Sequence, residues 1–178
     1  MPIVSSHQKL KQAMDPVAIQ RSRTHAWEDP LATAQAARGL QGIEFLHKII
    51  AGELPQPPIA HTLGYKLLEV GEGRAVFGIK PEEFHYNPIG MVHGGIACTL
   101  LDSALGCAVH SVLPAGVGYT TLEIKVNMLK AIGRDTGVLR AEATLVHAGR
   151  STAVAEARLV DEQGRLYAFG TATCMILR

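Results

Sequence analysis

The chain has 178 residues, which is the length of one ordinary domain and enough to bury a sizeable core. Hydrophobic residues make up 47% of it and charged residues 19%, as expected of a folded protein. The formal net charge is +1 and there is no basic run, so composition gives no support to nucleic acid or an anionic membrane as a partner. Small molecules and other protein surfaces are the expected partners.

The first 54 residues predict an N-terminal helical extension. Residues 1–37 are polar and Ala-rich with weak periodicity, and we expect a loosely attached arm with some helix, for which a partner subunit is one candidate packing surface. Residues 38–51 predict an amphipathic helix that ends at Gly52. Its apolar positions recur three or four residues apart, at Leu40, Ile43, Leu46 and Ile50.

Residues 55–178 predict one domain of the α+β class. Strands are expected at 65–70, 74–80, 120–129, 136–148, 151–160 and 165–176, and their short connections indicate antiparallel neighbours. Between the second and third strands lies a long helix, from Gly94 to about Leu113, that is apolar around most of its circumference. We expect the curved sheet to wrap this helix. The alternation in the third strand places Leu122 on its apolar face and Thr121 on its polar face.

The cysteines and one uncharged run bear on the compartment. Cys98 and Cys107 would lie about 13.5 Å apart along a single helix, too far for a disulfide. With an odd number of cysteines (the third is Cys174) and no secretory signal at the N-terminus, the cytoplasm is predicted. The uncharged residues 103–122 contain glycines and a proline, so we interpret them as a buried helix and a turn, and predict no membrane partner.

The sequence Asn87-Pro88-Ile89-Gly90-Met91-Val92-His93-Gly94-Gly95 leads directly into the long helix, which carries Asp102. The amides of Gly94 and Gly95 lie at a helix start, where the helix does not use them and its dipole favours a negatively polarised oxygen. On a regular helix Asp102 is rotated from His93 by roughly 180° and raised by about 13.5 Å. Either Asp102 is unconnected with the glycines, or a second subunit completes the site across a two-fold axis.

The element order, together with the Asn87–Gly95 motif and Asp102, closely resembles the hotdog-fold acyl-CoA thioesterases. Within them it is most like the phenylacetate-pathway (PaaI-like) subfamily of small homo-oligomeric hydrolases, over about residues 55–177. The resemblance implies hydrolysis of an aryl- or medium-chain acyl-CoA by a homodimer or homotetramer, with sites shared across the dimer interface. It implies no cofactor, since coenzyme A is part of the substrate. Lys130-Ala131-Ile132 departs from the Arg-Pro-Ala-like sequence that is common in the family.

The resemblance also implies roles for single residues. Asn87 and the Gly94 amide would polarise the thioester carbonyl, and Asp102 would act as general base or nucleophile. Thr121 would help to place the water, and His93 would be a positioning residue at the helix start. Three residues are candidates for substrate binding, the last two through the coenzyme A phosphates: Gly95, Arg150 and Ser151.

Each of these residues also has an ordinary structural interpretation. Asp102 could bond to neighbouring backbone or to a partner side chain, the glycines could serve tight packing, and His93 could be a helix cap or a core histidine. Asn87 could form a turn before Pro88, and Thr121 could be a plain strand residue.

Two other functions stay open from the sequence. One is an enoyl-thioester hydratase or dehydratase on the same architecture. The other is a non-catalytic acyl-CoA-binding module whose N-terminal arm engages another protein. The histidines at positions 85, 110 and 147 lack ligand-spaced partners, so no metal site is predicted.

Overall fold

The computed structural model describes residues 20–178. Six strands form a single antiparallel sheet in the order β1-β2-β4-β5-β6-β3, which leaves β1 and β3 as its edges. Four α-helices accompany the sheet in this part of the chain. The elements are α1 (Pro30–Ala37), α2 (Gly42–Ile50), α3 (Pro58–Leu63), β1 (Tyr65–Gly71), β2 (Arg74–Ile79), α4 (Gly94–His110), β3 (Gly118–Met128), β4 (Leu139–Ala148), β5 (Thr152–Asp161) and β6 (Leu166–Leu177).

The sheet wraps around α4, which contacts all of its strands. Fully buried leucines of α4, Leu100, Leu101 and Leu105, form the centre of the core, and burial of each stabilises the fold by about 1.5–3 kcal/mol. The strands oppose them mainly with alanines, whose small side chains let the helix lie close to the sheet. These are Ala75, Ala141, Ala143, Ala153, Ala155, Ala157, Ala168 and Ala172. The predicted α+β architecture is therefore confirmed.

Helix α2 begins four residues later than its periodicity predicts. Its buried positions are Gly42, Leu46 and Ile49, whereas Ile50 is exposed. The shift follows from the close approach of α2 to the end of α4, because a Cβ at Gly42 would lie 1.8 Å from the carbonyl oxygen of His110. Only glycine permits that crossing, and it fixes which face of α2 turns inward.

Strand β3 differs from its prediction in one respect that matters for the site. Its pairing with β6 shifts register between Thr121 and Glu123, so Leu122 forms a β-bulge and is 57% exposed. The bulge reverses the alternation, and Thr121 lies on the side that faces α4, together with Ile124 and Val126. The prediction that Leu122 is on the apolar face and Thr121 on the polar face is wrong for this reason.

The N-terminal arm, defined here as residues 20–37, packs on its own chain. The guanidinium of Arg23 donates hydrogen bonds to the carbonyl oxygens of Thr62 and, at 3.0 Å, His61, and it lies 4.0 Å from the centre of the Phe84 ring. Arg21 pairs with Glu83 at 2.7 Å. How loosely the arm is attached stays a prediction, as does its expected contact with a partner subunit. Residues 1–19 of the predicted arm lie outside the described residues.

Two further predictions concern the chain as a whole. The division into an extension of residues 1–54 and a domain of residues 55–178 stays a prediction, as does the cytoplasmic compartment. All three cysteines are free thiols. Within residues 20–178, no helix combines the length and the apolar character needed to cross a bilayer.

Candidate active site

The loop before α4 is built around Asn87. Its side-chain oxygen Oδ1 accepts hydrogen bonds from the amides of Ile89 and Met91, both at 3.1 Å, while its own amide donates to the Met91 carbonyl oxygen at 2.7 Å. Because Oδ1 is occupied by these backbone donors, the NH₂ group is the end of the side chain that remains to donate. The turn role and the predicted role of Asn87 as a donor are thus compatible.

His93 is the N-cap of α4. Its ring nitrogen Nδ1 accepts a 2.9 Å hydrogen bond from the Gly95 amide, so in the neutral imidazole the proton lies on Nε2. The Gly95 amide is therefore engaged within the chain. Among the described residues, the structure gives the Gly94 amide no acceptor, and this group is the free donor at the helix start.

Asp102 lies two turns further along α4, where its carboxylate is exposed. Its Oδ1 accepts a 3.0 Å hydrogen bond from the Thr121 hydroxyl across the space between α4 and β3. This contact depends on the bulge at Leu122, which turns Thr121 toward the helix. The two predicted residues Asp102 and Thr121 are thus brought together within one chain, with Oδ2 of Asp102 left available.

The predicted donors and the carboxylate line two different cavities. The first, the loop cavity, has a volume of about 370 Å³ and is lined by Asn87 and Gly94 among others. The second, the helix cavity, has a volume of about 380 Å³ and is lined by Asp102 and Thr121. Within one chain the carbonyl-polarising candidates and the carboxylate therefore open into different cavities, as the helix geometry predicts.

The loop cavity is bounded on its far side by the segment that follows β3. Met128 reaches Gly94, since a Cβ on that glycine would lie 2.6 Å from the Met128 sulfur. Lys130 also lines this cavity, and its ammonium group lies 5.2 Å from the centre of the Tyr167 ring. Lys130 thus places a cation beside the predicted oxyanion donors.

The walls of the helix cavity are aromatic and aliphatic. The His110 ring lies between Phe45 and Tyr119, with centroid distances of 5.6 and 5.4 Å, and Tyr65 meets Phe77 edge to face at 5.8 Å. Burial raises the pKa of Tyr119 well above its ordinary value and lowers the pKa of His110. Both side chains are therefore neutral near pH 7.

Polar groups are few in the helix cavity. The Tyr65 hydroxyl lies 3.2 Å from the hydroxyl of Ser103, next to Asp102. Burial raises the pKa of the Cys107 thiol to about 12, which keeps it protonated and unreactive. Asp102 and Glu28 are the two carboxylate residues of this cavity, and Asp102 is the one whose Oδ1 is held in place by Thr121, which suits it to take up a proton or attack a carbonyl carbon.

Arg150 and Ser151 line neither cavity. They form the turn between β4 and β5, where the Arg150 carbonyl accepts from Arg178 at 3.3 Å and the Ser151 carbonyl accepts from Ile176 at 2.9 Å. Their contact with coenzyme A, and that of Gly95 with substrate, stay predictions.

Comparison with known proteins identifies the family. A model of the thioesterase superfamily matches residues 89–168. A candidate esterase from Saccharolobus solfataricus is 30% identical over 116 residues, which are 65% of this chain and 81% of that protein. The chain belongs to the thioesterase superfamily.

Two further relatives indicate the subfamily to which this thioesterase is similar. A 1,4-dihydroxy-2-naphthoyl-CoA hydrolase from Listeria monocytogenes is 29% identical over 119 residues, covering 66% of this chain and 94% of the hydrolase. The crystal structure of a phenylacetic acid degradation-related protein from Ralstonia eutropha superposes with a TM-score of 0.66 at 30% identity, covering 73% of this chain and 98% of that one. The predicted hotdog-fold thioesterase of the phenylacetate-pathway type, a thioester hydrolase acting on acyl-CoA, is confirmed.

Several residues of the helix cavity are not among the predicted site residues. The nearest to Asp102 are Ser103, Tyr65 and Tyr119, and the N-terminal arm adds Glu28, Pro30, Thr33 and Ala34. Tyr65 is the first residue of β1, and Tyr119 is the second residue of β3. Their place in the cavity can be predicted only when these two edge strands are known to flank α4. The arm has no apolar periodicity, so the sequence pattern does not predict that it lines the cavity.

Proposed function

We propose that this thioesterase hydrolyses aryl- or medium-chain acyl-CoA at two equivalent sites, each combining the loop cavity of one protomer with Asp102 of the other. The observation that carries the proposal is the placement of donors and carboxylate in separate cavities of one chain. A tetrahedral oxyanion needs both at the same carbonyl group. A homodimer, alone or within a homotetramer, supplies them together.

The free edge of β3 supports such a dimer. In the described chain this strand pairs only with β6, so its other edge can pair with β3 of a second copy around a two-fold axis. If the axis passes through Ile124, Glu123 lies opposite Lys125 of the second copy, which is an attractive pairing on both sides. The same register brings Thr121 to the level of Asn127 and Met128 of the other strand, and Met128 touches Gly94.

The chemistry follows from this arrangement. The thioester carbonyl oxygen accepts from the Gly94 amide and the Asn87 NH₂ group, which stabilise the negative charge that develops on it. Asp102, held at Oδ1 by Thr121, uses Oδ2 to take a proton from water or to attack the carbonyl carbon itself. The carbon–sulfur bond then breaks, the coenzyme A thiolate leaves, and water provides the oxygen of the free acid.

The acyl group fits the helix cavity. This cavity starts at Asp102, has aromatic and aliphatic walls, and its volume of about 380 Å³ lies in the range of small-molecule pockets. An aryl acyl group would contact ring faces and edges there. The naphthoyl-CoA substrate named for the Listeria relative is of this class. Lys130, at the loop cavity, is placed to meet a coenzyme A phosphate.

Mixed dimers test the shared site. Asn87→Ala and Asp102→Asn chains are expected to be nearly inactive alone, while both stay folded. After subunit exchange, half of the dimers contain one intact site of two, so phenylacetyl-CoA hydrolysis should recover to about a quarter of the wild-type rate. Thiol release with a disulfide reagent measures it, and mass spectrometry of the intact dimers verifies exchange.

Other results would contradict the proposal. No recovery despite verified exchange would mean that each site lies within one chain, and full activity of Asp102→Asn would remove Asp102 from the mechanism. Hydration of an enoyl-CoA without thiol release would indicate a hydratase instead. Tight binding of a broad acyl-CoA panel without turnover would indicate a binding module.

A further inference from the structure

We infer that the N-terminal arm selects the acyl group, with one face of α1 setting how large a group the helix cavity accepts. Pro30, Thr33 and Ala34 line this cavity together with aromatic and aliphatic side chains of the rest of the chain. The inference rests on the proposed function, since it requires the acyl group to occupy the helix cavity.

The three residues form a single face of a helix. Positions 30, 33 and 34 are spaced by three and four residues, so they project to the same side of α1, whereas position 36 is rotated by roughly 200° from position 34. No residue of α1 is buried, and Ala34 is exposed. The helix therefore covers the cavity without filling it, and the short Ala34 side chain leaves space beneath α1.

Contacts on the N-terminal side of α1 hold this wall in position. Asp29 caps α1 by accepting the Leu31 amide at 2.9 Å. Upstream, Arg23 is held by carbonyl oxygens of α3 and by the Phe84 ring. Since α3 leads directly into β1, whose Tyr65 also lines the cavity, the arm and the opposite wall are joined to one frame.

The wall belongs to a part of the chain that the superfamily model does not reach. The arm lies outside residues 89–168, which the superfamily model matches. The Ralstonia structure is covered over 98% of its length by 73% of this chain. A selectivity set by α1 would therefore reside outside the segment that the superfamily model matches.

Two alanines on α1 provide a matched pair for the test. Ala34→Trp places an indole into the cavity, whereas Ala36→Trp places the same group on the opposite side of the same helix. For each variant, kcat/KM is measured with butanoyl-CoA, decanoyl-CoA and 2-naphthoyl-CoA. Ala34→Trp should lower kcat/KM for the two large acyl groups by at least about ten-fold and change that for butanoyl-CoA by less than about two-fold. Ala36→Trp should leave all three within about two-fold.

Smaller substitutions and binding measurements test the same inference. Ala34→Leu and Ala36→Leu should show the same ranking with a smaller change, and thermal unfolding identifies any variant that does not fold. Dissociation constants of non-hydrolysable thioether analogues of the same acyl-CoAs should follow the same pattern. Equal acyl profiles for the position 34 and position 36 variants would overturn the inference. A wild-type enzyme that hydrolyses none of the three would instead contradict the proposed function, and the thioether affinities would still decide the role of α1.

Discussion

The two parts of the proposed catalytic site lie at the start and in the middle of α4 and are constructed differently. At the start of α4, the donors are backbone or turn groups: the Gly94 amide is free because the helix has no acceptor for it, and Asn87 is oriented by two backbone amides. In the middle of α4, the acceptor is a single side chain, Asp102, oriented by Thr121 across a β-bulge. The first region is fixed by local chain geometry, and the second by the packing of a strand on the helix.

The two regions differ in which substitutions remove their functional groups. A backbone donor is removed only when the amide itself is removed, so most side-chain substitutions near Gly94 should affect shape rather than charge stabilisation. Asp102 has no such protection, because one side-chain change removes the carboxylate. The loop region and the middle of α4 should therefore respond to different kinds of substitution.

The largest effect is expected from Gly94→Pro. Proline is well suited to the first position of a helix, and His93 already has the extended backbone (φ −61°, ψ 133°) that a following proline requires. The substitution removes the amide hydrogen, and with it an oxyanion donor worth about 3–4 kcal/mol. We expect kcat for phenylacetyl-CoA to fall by about 10²–10³-fold.

Gly94→Ala is the matched control. It adds the same Cβ, which meets only the flexible end of Met128, and it keeps the amide hydrogen. Its kcat should stay well above that of Gly94→Pro. Equal losses in the two variants would mean that steric exclusion at the helix start, and not the lost donor, limits catalysis.

Thr121→Val tests the middle of α4. The substitution keeps the shape of the side chain and removes the hydroxyl that holds Asp102 Oδ1. We expect kcat to fall by about ten-fold, equivalent to about 1.4 kcal/mol, with KM little changed because the acyl cavity is preserved. Thr121→Ser keeps the hydroxyl and should be nearly wild type, whereas a loss as large as that of the valine variant would argue against the hydrogen bond.

The bulge beside Thr121 also shows where sequence reasoning ends. Periodicity locates the six strands and the long helix within a few residues, because each buries one regular set of side chains. A bulge inserts one residue without interrupting the apolar pattern, so Leu122 fits the alternation in sequence and violates it in space. The role of Thr121 can be predicted through family resemblance, but the face it occupies cannot.

The full lining of the helix cavity cannot be predicted from the sequence. The rotation of a regular helix places His93 and Asp102 on opposite sides of α4, and Gly94, the residue next to His93, lines a different cavity from Asp102. The lining from the N-terminal arm, however, depends on how α1 and α2 fold back over the open side of α4, where Gly42 contacts His110. Such long-range contacts leave no periodic signal in residues as polar as those of the arm.

A smaller effect is expected at the edge of β3, which would bring the two regions together between protomers. Lys125→Glu should place like charges opposite each other twice per dimer and weaken association by about ten-fold. The double variant Glu123→Lys, Lys125→Glu restores opposite charges and should recover the wild-type dissociation constant, measured by sedimentation. Unchanged association in the single variant would exclude a pairing centred on Ile124.

The smallest effect contrasts two histidines, the buried His85 and the partly buried His110. Burial lowers the pKa of His85, in the loop, and of His110, in the helix cavity. The unfolded chain therefore binds more protons than the folded chain as pH falls below about 6.5, and the free energy of unfolding decreases.

His85 is unsuited to replacement, because its ring nitrogens bond to the Glu82 amide at 2.9 Å and the Leu63 carbonyl at 2.8 Å. His110 packs between two aromatic rings, so phenylalanine can take its place. Between pH 7.5 and 5.5 the urea midpoint of His110→Phe should fall less than that of the wild type, and identical falls would show that His110 binds protons equally in both states.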